Sequence, residues 1–358
     1  MFLGVRVLRL KSAFIVVSLA AVCMFATPAE PQSGEPSATL INRDAIVYSA
    51  GSGKAYVVDQ ARGAILVVDA QGTSKSVQVG MGPEAIAINE RTGRVYVANS
   101  GDQSVSVIDG TSDSLVATVA TAARPYAIAA DEEENKIYVS NTFSDMLTVI
   151  DGSTNLASNL KTGSADAIVV DEKRRRVYLL GYESDMLTVL DPQTGAITKM
   201  PAGAMHLWGI AEAGRMLYVT HVQGATLAAI DVETHALKEI PTGAMPCALA
   251  VNANTGEVYV ANYGDGSVTV VNGHGTVTGT VKAGEHLQAI AVDAGKDLIY
   301  VADTHQNTVS VIDGRTRKLV KILKAGSNPY ALAIDPKTHR VYVANLSEPP
   351  LTVLSGDH

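Results

Sequence analysis

Nine side chains with types suited to chemistry share one address in an internal repeat: Glu84, Arg124, Tyr126, Asp166, His206, Trp208, His286, Gln288 and Tyr330. Six of them, Glu84, Tyr126, Asp166, Trp208, Gln288 and Tyr330, stand just before an Ala or Gly that opens an apolar run, as do Asp44 and Cys247. Arg124, His206 and His286 lie just upstream, where other repeats carry Gly82, Ala165, Met245 and Asn328. Carboxylates, imidazoles, a guanidinium, an amide and aromatic rings, once gathered, bind a ligand by hydrogen bonds and ring packing. A convergence of Glu84 and Asp166 with nearby histidines would instead hold a cation. The structural alternative is that these groups only plug and solvate a channel mouth. They vary from repeat to repeat, and Trp208 is the only tryptophan, so a ligand-binding role is the sharper expectation.

Other chemistry has less support. His206, His221 and His286 with a carboxylate would make a metal set, and His286, Asp303 and His305 recur two repeats later. No compact metal motif frames them, so no metal site is assigned. The chain has no CxxCH, CxxC, GxSxG or HExxH, and AGSGKAY around Ser52 lacks the phosphate-loop spacing. No catalytic residue and no cofactor are assigned.

The elements that must position these residues follow from the repeat. A Tyr followed by an aliphatic residue falls at Tyr56, Tyr96, Tyr138, Tyr178, Tyr218, Tyr259, Tyr300 and Tyr342, spaced by 40, 42, 40, 40, 41, 41 and 42. An Ala- or Gly-led run precedes each Tyr. A third run follows and closes on Asp69, Asp109, Asp151, Asp191, Asp231 and Asp313, with Asn272 and Ser355 as departures. Weaker fourth runs, such as SLVATV and KLVKIL, complete the unit. Val, Ile, Thr and Tyr dominate, as a pleated half-buried surface favours. Four short strands in about 41 residues without a helical period predict an all-β fold, a β-propeller of four-stranded blades. Its first strands line the central channel and put the nine residues at the mouth. Eight blades are expected. Seven is the alternative, in which the first unit with its Gly51-Ser52-Gly53-Lys54 turn is something else. Residues 38–42 would supply the missing fourth strand of the last blade and close the ring, leaving no open edge. The third-run Asp residues predict Asx-type turns, and Asp102, Asp145, Asp185 and Asp265 sit in turns between second and third strands.

Residues 1–29 read as a secretory signal peptide: Arg6, Arg9 and Lys11, then the apolar residues 13–26, then small residues at Thr27-Pro28-Ala29. An uncleaved anchor is disfavoured by the shortness of the apolar run, and lipid attachment at Cys23 by Val22 before it. Residues 30–37 form a flexible spacer and 38–358 a single domain, exported to the periplasm or outside the cell, monomeric, with no transmembrane span after cleavage. The formal charge of −8 becomes more negative once the basic leader is gone, which makes nucleic acid a poor partner. Cys247 alone remains after cleavage and is expected to be buried and inert.

VYVAN at 95–99, 258–262 and 341–345, each followed by a V-x-V-I-D-like run, resembles the YVTN-repeat propellers, and most closely the YncE-like exported bacterial proteins, over about residues 40–355. The resemblance implies a propeller, usually of seven blades, so eight is a departure. Such folds host binding, scaffolding and enzymatic roles alike; lactonases, the haem domain of cytochrome d1 and quinoprotein dehydrogenases share the architecture. The expected function is a non-enzymatic binding or scaffold module with its site on the mouth face. The ligand is a protein, a cell-envelope component or a small molecule. The alternative is a lactonase-like hydrolase with a cation held in the channel by Glu84, Asp166 and nearby His.

Overall fold

The computed structural model describes residues 43–142 and 144–355; the expectations of a signal peptide over 1–29, a spacer over 30–37 and a closing strand at 38–42 lie outside them. Eight antiparallel meanders make up the described chain, seven of four strands and a last one of three. The first repeat is a complete blade, Ile46–Ser49, Lys54–Asp59, Ala64–Val68 and Ser74–Gln78, so the molecule is an eight-bladed β-propeller. The Gly51-Ser52-Gly53-Lys54 segment is the turn of its first hairpin. No helix among the described residues is long and apolar enough to cross a membrane.

The repeat Tyr explains why the blades stack. It sits in the second strand of each blade, and seven of the eight, Tyr56, Tyr96, Tyr138, Tyr218, Tyr259, Tyr300 and Tyr342, are among the largest fully buried side chains. A single sheet cannot cover both its faces, so each core forms between neighbours. Tyr96, Val105 and Val107 of the second blade pack with Ile128, Ile137 and Val139 of the third. Tyr218 and Leu227 of the fifth pack with Val258 and Val260 of the sixth. The ring is closed by the same means. Tyr330, Ala331 and Tyr342 of the eighth blade share a core with Ala45, Tyr56 and Val67 of the first, and Tyr48 stacks on Tyr342 with centroids 5.7 Å apart. Lys337 Nζ donates to the Ala50 carbonyl, and Arg62 pairs with Glu348.

Polar repeat positions serve the turns. Asp109 Oδ1 accepts from the backbone of Thr111 and Ser112, Asp151 from Ser153 and Thr154, and Asp231 from Glu233 and Thr234. These are the Asx turns the sequence predicts. The bonds hold the carboxyls of Asp109, Asp151 and Asp231 below their ordinary range. The Asn ending VYVAN is a clamp for the next turn: Asn99 Nδ2 donates to Ser104 and Ser106 Oγ, and Asn262 Nδ2 to Ser267 Oγ and Thr269 Oγ1.

Candidate functional site

The first strand starts, and the second ends, at the same end of every blade. At that end the backbone departs from regular pairing. Pro83 pairs with Asn99 and Ala85 with Ala98, which leaves Glu84 as the extra residue of a β-bulge. The same shift falls at Tyr126, Trp208, Cys247, Gln288 and Tyr330. A bulge turns its extra side chain out of the strand's alternation, so six of the eight leading residues are re-aimed by backbone geometry. Two residues upstream, Gly82, Arg124, His206, Met245 and Asn328 all lie in the left-handed region, with φ of 62°, 51°, 64°, 53° and 53°. For the four that are not glycine this costs about 1–2 kcal/mol each. A recurring bond offsets part of it: the first residue after the second strand donates its N–H to that carbonyl, as in Ser100 to Gly82, Thr142 to Arg124 and Val222 to His206.

The predicted residues gather in three groups. In the first, buried Glu84 accepts from Ser100 Oγ at 3.0 Å and from Gln60 Nε2 at 3.0 Å. Burial pushes its carboxyl up to about 7, against the opposing effects of Ser100, Arg124 and Gln60. Buried Tyr330 is in the same field; burial foremost, then the charges of Glu84 and Asp59, raise its phenol. In the second group, His206 and Trp208 both meet the Tyr182 ring edge-on, with centroids 4.8 Å and 6.1 Å away. Asp166 accepts from the Tyr182 N–H at 2.9 Å, and burial raises its carboxyl. Gln223 Nε2 donates to the Tyr182 hydroxyl. In the third, His286 lies between the Tyr263 and His305 rings, at 4.8 Å and 4.9 Å. Tyr126 is half-buried on the bulge of the third blade, and Gln288 is buried on that of the seventh.

His206, His221 and His286 do not form one set. His221 is fully buried in place of the repeat Asn. Its Nε2 faces the Ala202 carbonyl at 2.8 Å, and its Nδ1 faces the Thr226 hydroxyl at 2.8 Å. The carbonyl can only accept, so Nε2 carries the proton and the Thr226 hydroxyl donates to Nδ1. Burial lowers the pKa of this ring; its role is structural. Glu84 and Asp166 join no group of three or more metal-ligating side chains among the described residues; the one such group is Glu285, His286 and His305. The channel holds a cavity of about 250 Å³ lined mostly by Ile46, Ile168, Ile210, Leu249, Ile290 and Leu332, with Asp44 as its carboxylate. Cys247 is fully buried, its thiol donating to the Leu287 carbonyl at 3.0 Å.

Three partners escape a search for polar residues ahead of the first strand: Gln60, Tyr182 and Tyr263. All stand four residues after the repeat Tyr, at or just past the end of the second strand, where the repeats carry Gln60, Ser100, Thr142, Tyr182, Val222, Tyr263, Thr304 and Leu346. That variation was the available signal. Close approach of loops at this end also depends on Gly266, at φ 62° in the sixth blade. A Cβ there would meet the Gly284 carbonyl oxygen at 2.0 Å and Glu285 Cα at 2.9 Å. Gly266→Ala is expected to destabilise the protein by about 2 kcal/mol, from left-handed strain and overpacking. An unchanged urea midpoint would contradict this.

A family model described as YNCE-like beta-propeller matches residues 75–354. No curated protein sequence matches the chain. Among solved structures, hydrazine synthase of Kuenenia stuttgartiensis aligns with a TM-score of 0.59 at 17% identity, over 90% of this chain and 99% of that one. Dihydro-heme d1 dehydrogenase NirN in complex with DHE aligns with 0.75 at 15%, over 94% and 80%. The computationally designed Ika8 protein aligns with 0.73 at 16%, over 88% and 97%. At such identities the likeness is one of fold.

Proposed function

This chain belongs to the YncE-like β-propeller family, and on that footing we propose that it is an exported, non-enzymatic binding module whose ligand or partner docks on the mouth face. The observation that carries this reading is the backbone distortion at that face. Six leading residues sit on bulges and four non-glycine residues just upstream are left-handed. Local strain of this kind persists where the surrounding fold enforces it, and it clusters at ligand sites. Here it presents aromatic rings, amides and a guanidinium around an aliphatic channel. The grouping of Tyr182, His206 and Trp208 suits a planar or ring-bearing group, with Asp166 and Gln223 as polar supports. The leader-like residues 1–29 support export to the periplasm or beyond. Nothing in the channel gathers the acids that a lactonase-like hydrolase would need for its cation among the described residues.

A thermal-shift panel of envelope sugars, lactones, short oligonucleotides and divalent metals tests the reading. An organic ligand at about 100 times its Kd adds about 2.7 kcal/mol to native stability, a rise of about 5 °C for a domain of this size. The rise is expected in the wild type and should vanish in Trp208→Ala and His206→Ala. Lactone turnover that needs a metal and is lost in Glu84→Gln would replace the binding reading with the hydrolase. A flat response throughout would sink the small-ligand form of it.

A further inference from the structure

We propose that Glu285, His286 and His305 form a binding site for a divalent transition-metal ion of the Zn²⁺ class on the mouth face of the seventh blade. This goes beyond the binding module argued above and stands without it. One ligand atom from each of the three side chains lies within 4.8 Å of the others, and His305 Nδ1 is 3.5 Å from Glu285 Oε2. Tetrahedral coordination at about 2.0–2.1 Å separates neighbouring donors by about 3.4 Å. One pair is already at that distance. Glu285 and His305 have 55% and 70% exposed side chains, free to close the remainder. Two imidazoles and one carboxylate select Zn²⁺, Co²⁺, Ni²⁺ or Cu²⁺ over the oxygen-seeking Ca²⁺ and Mg²⁺.

Two further observations point to a cation. The first lies beneath the triad. Where the second, third, sixth and eighth blades end their second strand on Asn, the seventh ends, as the first does with Asp59, on an Asp: Asp303, which is fully buried. Asp303 Oδ2 accepts from the backbone N–H of Glu285 at 2.6 Å and His286 at 3.3 Å. Its Oδ1 accepts from His305 at 3.0 Å and Gln306 at 2.9 Å. One carboxylate thus ties together the two loops that carry all three ligands, and its negative charge lies under the site. Asn clamps the turn through side-chain donors and holds no such pair of loops. The second observation is His286 Nδ1, shut off from solvent with no hydrogen-bond partner among the described residues. A buried ring nitrogen left in that condition is costly, and coordination of one ring nitrogen fixes the tautomer and orientation of the whole imidazole. Exposure of Glu285 and His305 leaves outer coordination positions open to water or to a donor atom of a docked molecule.

Isothermal titration of the untagged protein with ZnCl₂, with CaCl₂ in parallel, tests the site. The wild type is expected to bind one equivalent of Zn²⁺ with a Kd on the order of micromolar and no Ca²⁺. His305→Ala and Glu285→Gln alter exposed side chains, so both should fold and lose this binding. Asp303→Asn should weaken it about tenfold, as expected for a group that positions ligands. His274→Ala, in an exposed turn of the sixth blade, should bind as the wild type does. Co²⁺ gives a second readout: its visible d–d absorption should appear with the wild type and be absent with His305→Ala. No one-equivalent Zn²⁺ binding, or binding unchanged in His305→Ala, overturns the proposal.

Discussion

Glu84→Gln is expected to stabilise the protein by about 3 kcal/mol at pH 8 and to leave it nearly unchanged at pH 4.5. Burial carries the Glu84 carboxyl from its ordinary 4.5 up to about 7. A raised carboxyl favours the native state most when it is protonated. Its contribution is complete below about pH 4.5 and is lost as pH rises through about 7, because the unfolded chain ionises the group first. At pH 8 the native state holds a buried anion at a cost of about 3 kcal/mol. Gln has the shape of the protonated acid and no charge. The Gln60 amide can turn to accept from it, and Ser100 can still donate, so both bonds of the wild type have counterparts. Urea titrations of both proteins from pH 4.5 to 8.5 measure the effect. Parallel curves would show that Glu84 ionises as an exposed acid does.

Tyr96→Ala is expected to cost about 3–5 kcal/mol, the range for emptying a large aromatic site in a packed core. Tyr96 is fully buried between the second and third blades. Its hydroxyl has no hydrogen-bond partner among the described residues, and burial raises its pKa. Tyr96→Phe should therefore be neutral or mildly stabilising, since it removes a desolvated donor with no bond to lose. Tyr259 at the same repeat position donates to Glu257 Oε2 at 2.9 Å, so Tyr259→Phe should cost about 1 kcal/mol. The ring would then account for the repeat and the hydroxyl would not. Denaturant midpoints of the three variants decide it; equal losses in Tyr96→Phe and Tyr259→Phe would refute the distinction.

The architecture was legible because its determinants are periodic. Tyr in every second strand and Asp at the third-strand turn act through local pairing and burial, and both return at near-constant spacing. The site was legible only as an address. Glu84, Trp208 and Tyr330 were identified by their variation, but the bulge that aims them depends on cross-strand register, where one residue's shift changes the face a side chain takes. The leading residues look equivalent in the repeat, whereas Gln288, Tyr330 and Cys247 are buried and Trp208 and Tyr126 are partly open. His221 looked like a candidate ligand because a histidine replaced Asn. The bonds that make it structural run to Ala202, in the connection before its blade, and to Thr226, after its turn. The grouping of Glu285 with His305 was hidden for a related reason, because Asp303 brings two loops together through four backbone donors that no composition records.

The seam between the first and last blades differs from every other blade contact in one respect. Hydrogen bonds between neighbouring blades elsewhere join residues no more than 60 positions apart, as Gln60 with Glu84, Ala50 with Glu90 and Arg317 with Glu257 do. Across the seam, Lys337 with Ala50 and Arg62 with Glu348 are 287 and 286 apart. Chain-closure entropy grows with loop length, and distant contacts slow folding. Blades can therefore accrete along the chain by short-range steps, and sealing the ring is the one step that must wait for all of them. The seam is the natural place for the ring to open first. Amide exchange in Ile46–Ser49 and Val341–Asn345 should accordingly report a cheaper opening than exchange in the blades opposite.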